Sequence, residues 1–231
     1  MPDDQERPAT GVVALQVQLR AFDTSEIGRA HNWHEDFAAT NDALYPRTAA
    51  HFLQLAMDRC VWGAISSNDE FLAMSYASFD EPKNQWEIGG LMVSPEARGK
   101  GLGTLMMKLP LAHVLFTEDP LASTPPASVV THVLKGNEAP RSIVPAVGFT
   151  FHEPVFIPSD AMPGLRAEPD GMVHGDEFQL VVPEALISLA KWAEEWPGEL
   201  RDGTPARIDL LPGYSLTLWA QAFRDMADRS G

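Results

Sequence analysis

The chain has very little cysteine, few basic residues and no long apolar run. Cys60 is its one cysteine, so it can form neither an internal disulfide nor a thiolate zinc site. Lys and Arg number 17 against 32 Asp and Glu, a formal charge of −15, which argues against a surface that tracks a phosphate backbone. That acidic field attracts a cationic partner such as an amine, or merely keeps the chain soluble. No stretch approaches the roughly 18 apolar residues of a membrane span. The best, Leu109–Phe116, is short and contains Pro110 and His113. The first eleven residues are polar and acidic, unlike a secretory signal. What remains, 231 residues with 45% hydrophobic and 21% charged content, is neither disordered nor collagen-like. The expectation is a globular cytoplasmic protein with no nucleic-acid and no membrane partner.

Periodicity predicts the elements. Gly11–Phe22 alternates as a strand, and Asp23 or Thr24 is placed to cap a helix through Ile27, Ala30, His31, Phe37 and Ala38. A second helix follows Pro46. Cys60–Ser66 and Phe71–Phe79 read as a hairpin around Ser67-Asn68-Asp69-Glu70. Trp86–Val93 is a fourth strand, with Gly89-Gly90 suggesting a bulge. A helix from Thr104 to about Phe116 should kink or shorten at Pro110. Ser128–Leu134 is a strand, Glu138–Val147 a helix carrying Pro140 and Pro145, and Gly148–His152 and Glu177–Val182 two more strands. Glu153–Asp176, rich in Pro, Gly and charge, reads as a long loop. Helices over Pro183–Trp196 and Ser215–Arg229 close the chain. This order predicts a mixed α/β domain over 11–182, a disordered leader over 1–10, and a C-terminal helical extension over 183–231 packed on the domain.

One segment carries chemistry: Val93-Ser94-Pro95-Glu96-Ala97-Arg98-Gly99-Lys100-Gly101-Leu102-Gly103-Thr104. A strand ends, a turn follows and glycines open a helix, which is an anion cradle of main-chain N–H groups with Arg98 and Lys100 adding charge. Gly101 and Gly103 let a ligand approach the backbone closely. A nucleotide P-loop would need glycine at Ser94 and a hydroxyl at Gly101, and a dinucleotide fingerprint would need glycine at Met106.

The segment resembles the GNAT superfamily of acyl-CoA-dependent N-acetyltransferases. The family pattern Arg/Gln-x-x-Gly-x-Gly/Ala after Val-x-Pro stands as Val93-Ser94-Pro95 and Arg98 to Gly103, and a second pattern as Asn137 with Gly148-Phe149 eleven residues on. The resemblance implies a mostly antiparallel central sheet of about seven strands with flanking helices. It implies that acetyl-CoA is held by Leu91, Met92, Val93, Arg98, Gly99, Lys100, Gly101, Leu102, Gly103, Thr104 and Asn137, with the diphosphate on the amides of 98–104. The pantetheine arm would pair with Leu91–Val93 where strands splay, and the Val93 N–H would face the thioester carbonyl. The acceptor implied is a small-molecule or peptide amine, with no metal; a homodimer is left open.

An amine of pKa ~10.4 is about one part in a thousand or less neutral at pH 7, so a base matters. Glu87, eleven residues before Arg98, and His132, five before Asn137, stand where branches of the family place one. His132 needs no shift to be neutral near pH 7. The family's tyrosine acid, seven residues after the asparagine, is here Val144; Ser142 and Tyr214 are the substitutes to consider. That departure keeps a second reading open, a catalytically retired acyl-CoA-binding module with a regulatory or interaction role. Trp33, His34 and Tyr45 are candidates for recognising the acceptor. His31 with His34, and His152, Glu153, His174, Asp176 and Glu177 beside the long loop, are weaker constellations.

Overall fold

The computed structural model describes residues 16–230. The leader over 1–10 and the first residues of the expected opening strand lie outside the described residues. Among the described residues, eight strands form one sheet: β1 (Val17–Ala21), β2 (Val61–Ser66), β3 (Phe71–Asp80), β4 (Gln85–Val93), β5 (Ser128–Leu134), β6 (Phe149–Pro158), β7 (Met172–Leu180) and β8 (Ala206–Asp209). Their order is β6-β7-β5-β4-β3-β2-β1-β8, antiparallel except for the β4–β5 and β1–β8 pairs. The helices are α1 (Ile27–Ala39), α2 (Ala49–Met57), α3 (Leu102–Glu118), α4 (Glu138–Val147), α5 (Val182–Glu195) and α6 (Leu216–Ser230).

Every residue of β2 is buried, so the centre of the sheet is covered on both faces. Neighbouring residues of β3 show what covers it. The Ser75 hydroxyl meets α3, whereas the Tyr76 ring packs edge-on against Phe52 of α2, 5.9 Å between centroids. Trp62 of β2 and Trp219 of α6, both fully buried, lie 6.1 Å apart and fasten the last helix to the core.

Four expectations need correction. Neither Asp23 nor Thr24 caps α1; Glu26 precedes it without a side-chain cap bond, and its carboxylate is paired with Arg20. Pro110 does not end α3, which continues to Glu118. Proline removes the N–H that would bond the carbonyl four residues back. That carbonyl, on Met106, instead accepts the hydroxyl proton of Ser75. Glu153–Asp176 is largely not a loop: β6 runs to Pro158 and β7 starts at Met172, pairing from Phe149↔Leu180 to Pro158↔Met172. Finally, residues 183–230 are not purely helical. They supply β8, which lies parallel to β1 with Val17↔Ala206 in register and makes an eighth strand where about seven were expected.

Candidate active site

β4 and β5 pair only over Gln85–Glu87 and Ser128–Val130, and beyond that point they diverge. The wedge between them is the organising feature of the site. On β3, Ser75 alone stands opposite Gly90 and Leu91, since Met74 pairs with Met92 and Tyr76 with Gly89. This is the bulge expected from Gly89-Gly90. Gly90 has φ +62, and a Cβ there would fall 2.0 Å from the Tyr76 ring, so glycine is required.

The amides at the end of β4 face the wedge. Ser94 N–H donates to Leu72 O of the β3 side at 2.9 Å. Successive amides alternate between the two edges of a strand, so the Val93 N–H is directed to the β5 side, where the ladder has already ended.

A cavity of about 610 Å³ occupies this side. Its walls include Leu91, Val93, Arg98, Gly99, Gly101, Leu102, Gly103, Thr104, and Asn137 after β5, so nine of the eleven expected coenzyme residues are brought together. Met92 and Lys100 are not among them. The Met92 side chain is 1% exposed in the core, and the Lys100 ammonium lies 3.6 Å from Asp202. Among the described residues no Asp or Glu lines the cavity, although the chain carries −15. Gly99 (φ +78) and Gly101 (φ +85) hold left-handed turns leading into α3, whose first turn has no side-chain cap. Its leading N–H groups are therefore available to an anion, and the helix dipole adds to the attraction.

Two glycines serve packing as well as, or instead of, ligand approach. A Cβ on Gly103 would sit 2.7 Å from Ile143 of α4. One on Gly148, at φ +106 after α4, would sit 2.6 Å from the Ala185 Cβ of α5. In the Asn137…Gly148-Phe149 pattern, Asn137 lines the cavity, whereas Gly148 ends a helix and Phe149 is buried core.

A second cavity, about 460 Å³, lies at the other end of the wedge and contains Glu87, His132 and Tyr45 together with Arg47, Tyr76, Gly89 and Gly90. Apolar side chains of the β6–β7 hairpin and its connection, among them Val155, Ile157 and Met162, form its far wall. His132 is held between two carboxylates: Nδ1 is 3.0 Å from Glu87 Oε1 and Nε2 is 3.1 Å from Glu177 Oε2. Burial opposes charge on His132, but the hydrogen bonds and charges of Glu87 and Glu177 outweigh it and raise its pKa. An imidazole at its ordinary pKa would be neutral near pH 7 unaided, whereas this one is held toward its charged form. Burial likewise pushes Glu87 up, while His132, Arg47 and Lys83 more than offset it and hold the carboxyl below its ordinary range. Arg47 connects the two halves of this polar end: Nη2 is 3.7 Å from Glu87, and Nε donates to the Tyr76 hydroxyl at 3.0 Å.

The other candidates fall elsewhere. His34 is 0% exposed against Phe52 and Tyr76 and cannot touch a ligand in the cavity, which corrects its proposed contact with the acceptor. Trp33 packs on Phe37 and Phe71 and lines a shallow site near Arg98, away from Glu87. His31 uses Nε2 on the Arg47 carbonyl at 2.8 Å. Val144 is buried and Tyr214 packs on Phe116, while Ser142 lines the coenzyme-side cavity with its hydroxyl donated to Ala139 O at 2.8 Å. Burial, with Asp58 and Glu118, pushes the Cys60 thiol up to about 12, which leaves it inert. His152, Glu153 and Glu177 have ligand atoms within 4.8 Å of one another, the first two exposed on β6. Arg47 and Tyr76 went unnoticed in the sequence, because an arginine after a proline and a tyrosine in a buried strand carry no spacing signal. Glu177 was visible only as one acid among several.

Residues 28–115 match the model of the Acetyltransferase (GNAT) family. Over this segment, well under half of its length, the chain is similar to that family. The fold agrees over a longer span. This GNAT fold is shared with an acetyltransferase of the GNAT family from Streptococcus pneumoniae, at TM-score 0.52 and 11% identity, over 71% of this chain and 98% of that one. It is shared equally with yncA, a provisionally assigned acetyltransferase from Salmonella typhimurium with its cofactor acetyl-CoA, at TM-score 0.52 and 16% identity, over 71% and 92%. A provisionally assigned acetyltransferase from Acinetobacter baylyi gives TM-score 0.54 at 14% identity, over 73% and 93%. No curated protein matches the chain by sequence. No helix among the described residues is long and apolar enough to cross a membrane.

Proposed function

We propose that the protein transfers an acetyl group from acetyl-CoA to a primary amine, both bound at once on opposite sides of the β4–β5 wedge. The observation that carries this reading is the alignment of three features along one strand. Glu87 stands in the polar cavity, the Val93 N–H faces the wedge, and the Gly99–Gly103 turn opens α3 at the far end. Acetyl-CoA would supply an acyl group activated as a thioester, and the amine nitrogen would form an amide as the C–S bond breaks and the thiol leaves.

The chain's own residues then divide the work. The α3 N-terminus, Gly99, Gly101 and Arg98 bind phosphate, and Asn137 closes the opposite wall. The Val93 N–H donates to the carbonyl oxygen as it gains charge, an interaction worth most when water is excluded. Glu87, His132 and Glu177 act as one proton-accepting unit. With His132 protonated the three carry −1, which attracts an ammonium; with His132 neutral they carry −2 and can take its proton. The departing thiol, of ordinary pKa ~8.5, is a tolerable leaving group without a dedicated acid, which accommodates Val144. The experiment is thioester consumption with a panel of amines. Turnover with at least one is expected; tight CoA binding with no turnover for any would overturn the reading.

The buried Val144 favours one other reading, a CoA-binding module that no longer catalyses. It predicts that Glu87→Gln leaves biological function intact while Gly101→Glu, which fills the phosphate turn, abolishes it. Transferase activity predicts that both variants fail.

A further inference from the structure

We propose that Arg201, from the C-terminal segment, is a phosphate ligand of the coenzyme cavity, so that residues 199–205 complete the cradle begun by Arg98 to Thr104. The inference rests on the reading of that cavity as a coenzyme A site.

Arg201 sits at the tip of a tight hairpin. Glu199 bridges Pro205, Leu200 N–H donates to Thr204 O at 2.8 Å, and Gly203 N–H (φ +80) returns to Leu200 O at 2.9 Å. The Asp202 carboxylate accepts from Thr204 N–H at 3.1 Å and stiffens the turn. Its base is fixed as well, since Leu200 is buried and the chain runs directly into β8 beside β1.

The tip is docked on the phosphate turn. Arg201 N–H donates to Lys100 O at 3.1 Å, and the position of a Gly101 Cβ would be 3.6 Å from the Arg201 Cβ. The charges are exchanged in the process. Lys100, the cation the glycine motif itself offers, turns to Asp202 and leaves the cavity wall, while Arg201 joins that wall. Among the described residues, Arg201 and Arg98 are the two cationic side chains lining the cavity, neither forms an ion pair, and no carboxylate lines the cavity to neutralise them. A guanidinium held on a rigid turn beside uncapped helix amides suits a phosphoryl group, which it can grip with two parallel N–H donors. The phosphoryl group is either the diphosphate or the 3′-phosphate of the ligand.

The test is calorimetric titration of the full chain with CoA and with 3′-dephospho-CoA, for wild type, Arg201→Ala and Arg201→Lys. Charge-assisted bonds of this kind predict that Arg201→Ala weakens CoA binding about 10- to 100-fold. Arg201→Lys, which keeps the charge, should bind at least about threefold tighter than the alanine variant, by the same contrast between fork and point charge. Loss that vanishes with 3′-dephospho-CoA assigns the guanidinium to the 3′-phosphate, and loss that persists assigns it to the diphosphate; either supports the clamp. An alanine variant that binds CoA within about twofold of wild type overturns it, because a lost phosphate contact costs more than that. So does a lysine variant as weak as alanine, which would mark a purely structural role. Failure of the wild-type protein to bind CoA would instead overturn the reading of the cavity itself.

Discussion

Lowering the pH from neutrality to 5 should weaken the fold through one side chain, His34. Its ring is fully buried on α1, 4.9 Å from Phe52 and 6.5 Å from Tyr76 between centroids, and neither nitrogen has a hydrogen-bond partner among the described residues. Burial, followed by electrostatic repulsion from the neighbouring His31, Arg47 and His51 side chains, pushes its pKa down from 6.5 to about 4. The unfolded chain therefore takes up this proton at a higher pH than the folded one. The contribution to stability is complete above about 6.5, falls as the pH drops, and levels off below about 4. A gap of that size corresponds to about 3 kcal/mol in total, of which about 2 kcal/mol is lost by pH 5. That is a large part of a typical 5–15 kcal/mol. Urea unfolding of wild type and His34→Leu at pH 7.5 and pH 5 isolates the effect from other titrating groups. The wild type should lose about 2 kcal/mol more than the variant between the two pH values. Equal losses in both proteins would refute the reasoning.

Three further outcomes are expected. Glu87→Gln and His132→Ala should each lower kcat by about 10²- to 10⁴-fold in a thioester assay while leaving CoA affinity unchanged. The same assay followed against pH should show kcat/KM rising with pH through the His132 pKa, which lies above its usual value; Glu177→Gln removes one of the two carboxylates responsible and should move that rise to lower pH. Gly148→Ala places a side chain at φ +106 and 2.6 Å from Ala185, so it should destabilise by about 2 kcal/mol or more in denaturant unfolding, the sum of backbone strain and overpacking.

Elements with clear periodicity and punctuation were legible from the residues alone. β5 and α4 have the expected bounds, because SVVTHVL alternates and α4 is closed by Gly148. The β6–β7 hairpin was hidden because Pro154, Pro158 and several charges resemble a loop. Proline is tolerated there since β6 is an edge strand with one side of its backbone unpaired. β8 is four residues long and carries too little pattern to register. The phosphate turn was visible because its chemistry is local in sequence. The Glu87–His132–Glu177 cluster was not, because each neighbour is 45 residues away. It is assembled by two strand registers, Glu87↔Val130 in parallel and His132↔Glu177 in antiparallel, that no local spacing encodes. Glu87 and His132 could be picked singly; their mutual contact, which decides their protonation, belongs to the sheet.

The pairing of β1 with β8 also bears on how the molecule is made. The Gln18 side chain donates to Asp209 at 2.7 Å across 191 residues of chain. As the polypeptide leaves the ribosome, β1 emerges early and must wait for almost everything else before its outer neighbour exists. Contacts of such high sequence separation form slowly, and an uncovered strand margin is prone to mispair in the interval. The free edge of β1 is therefore where mispairing before β8 docks is expected to concentrate.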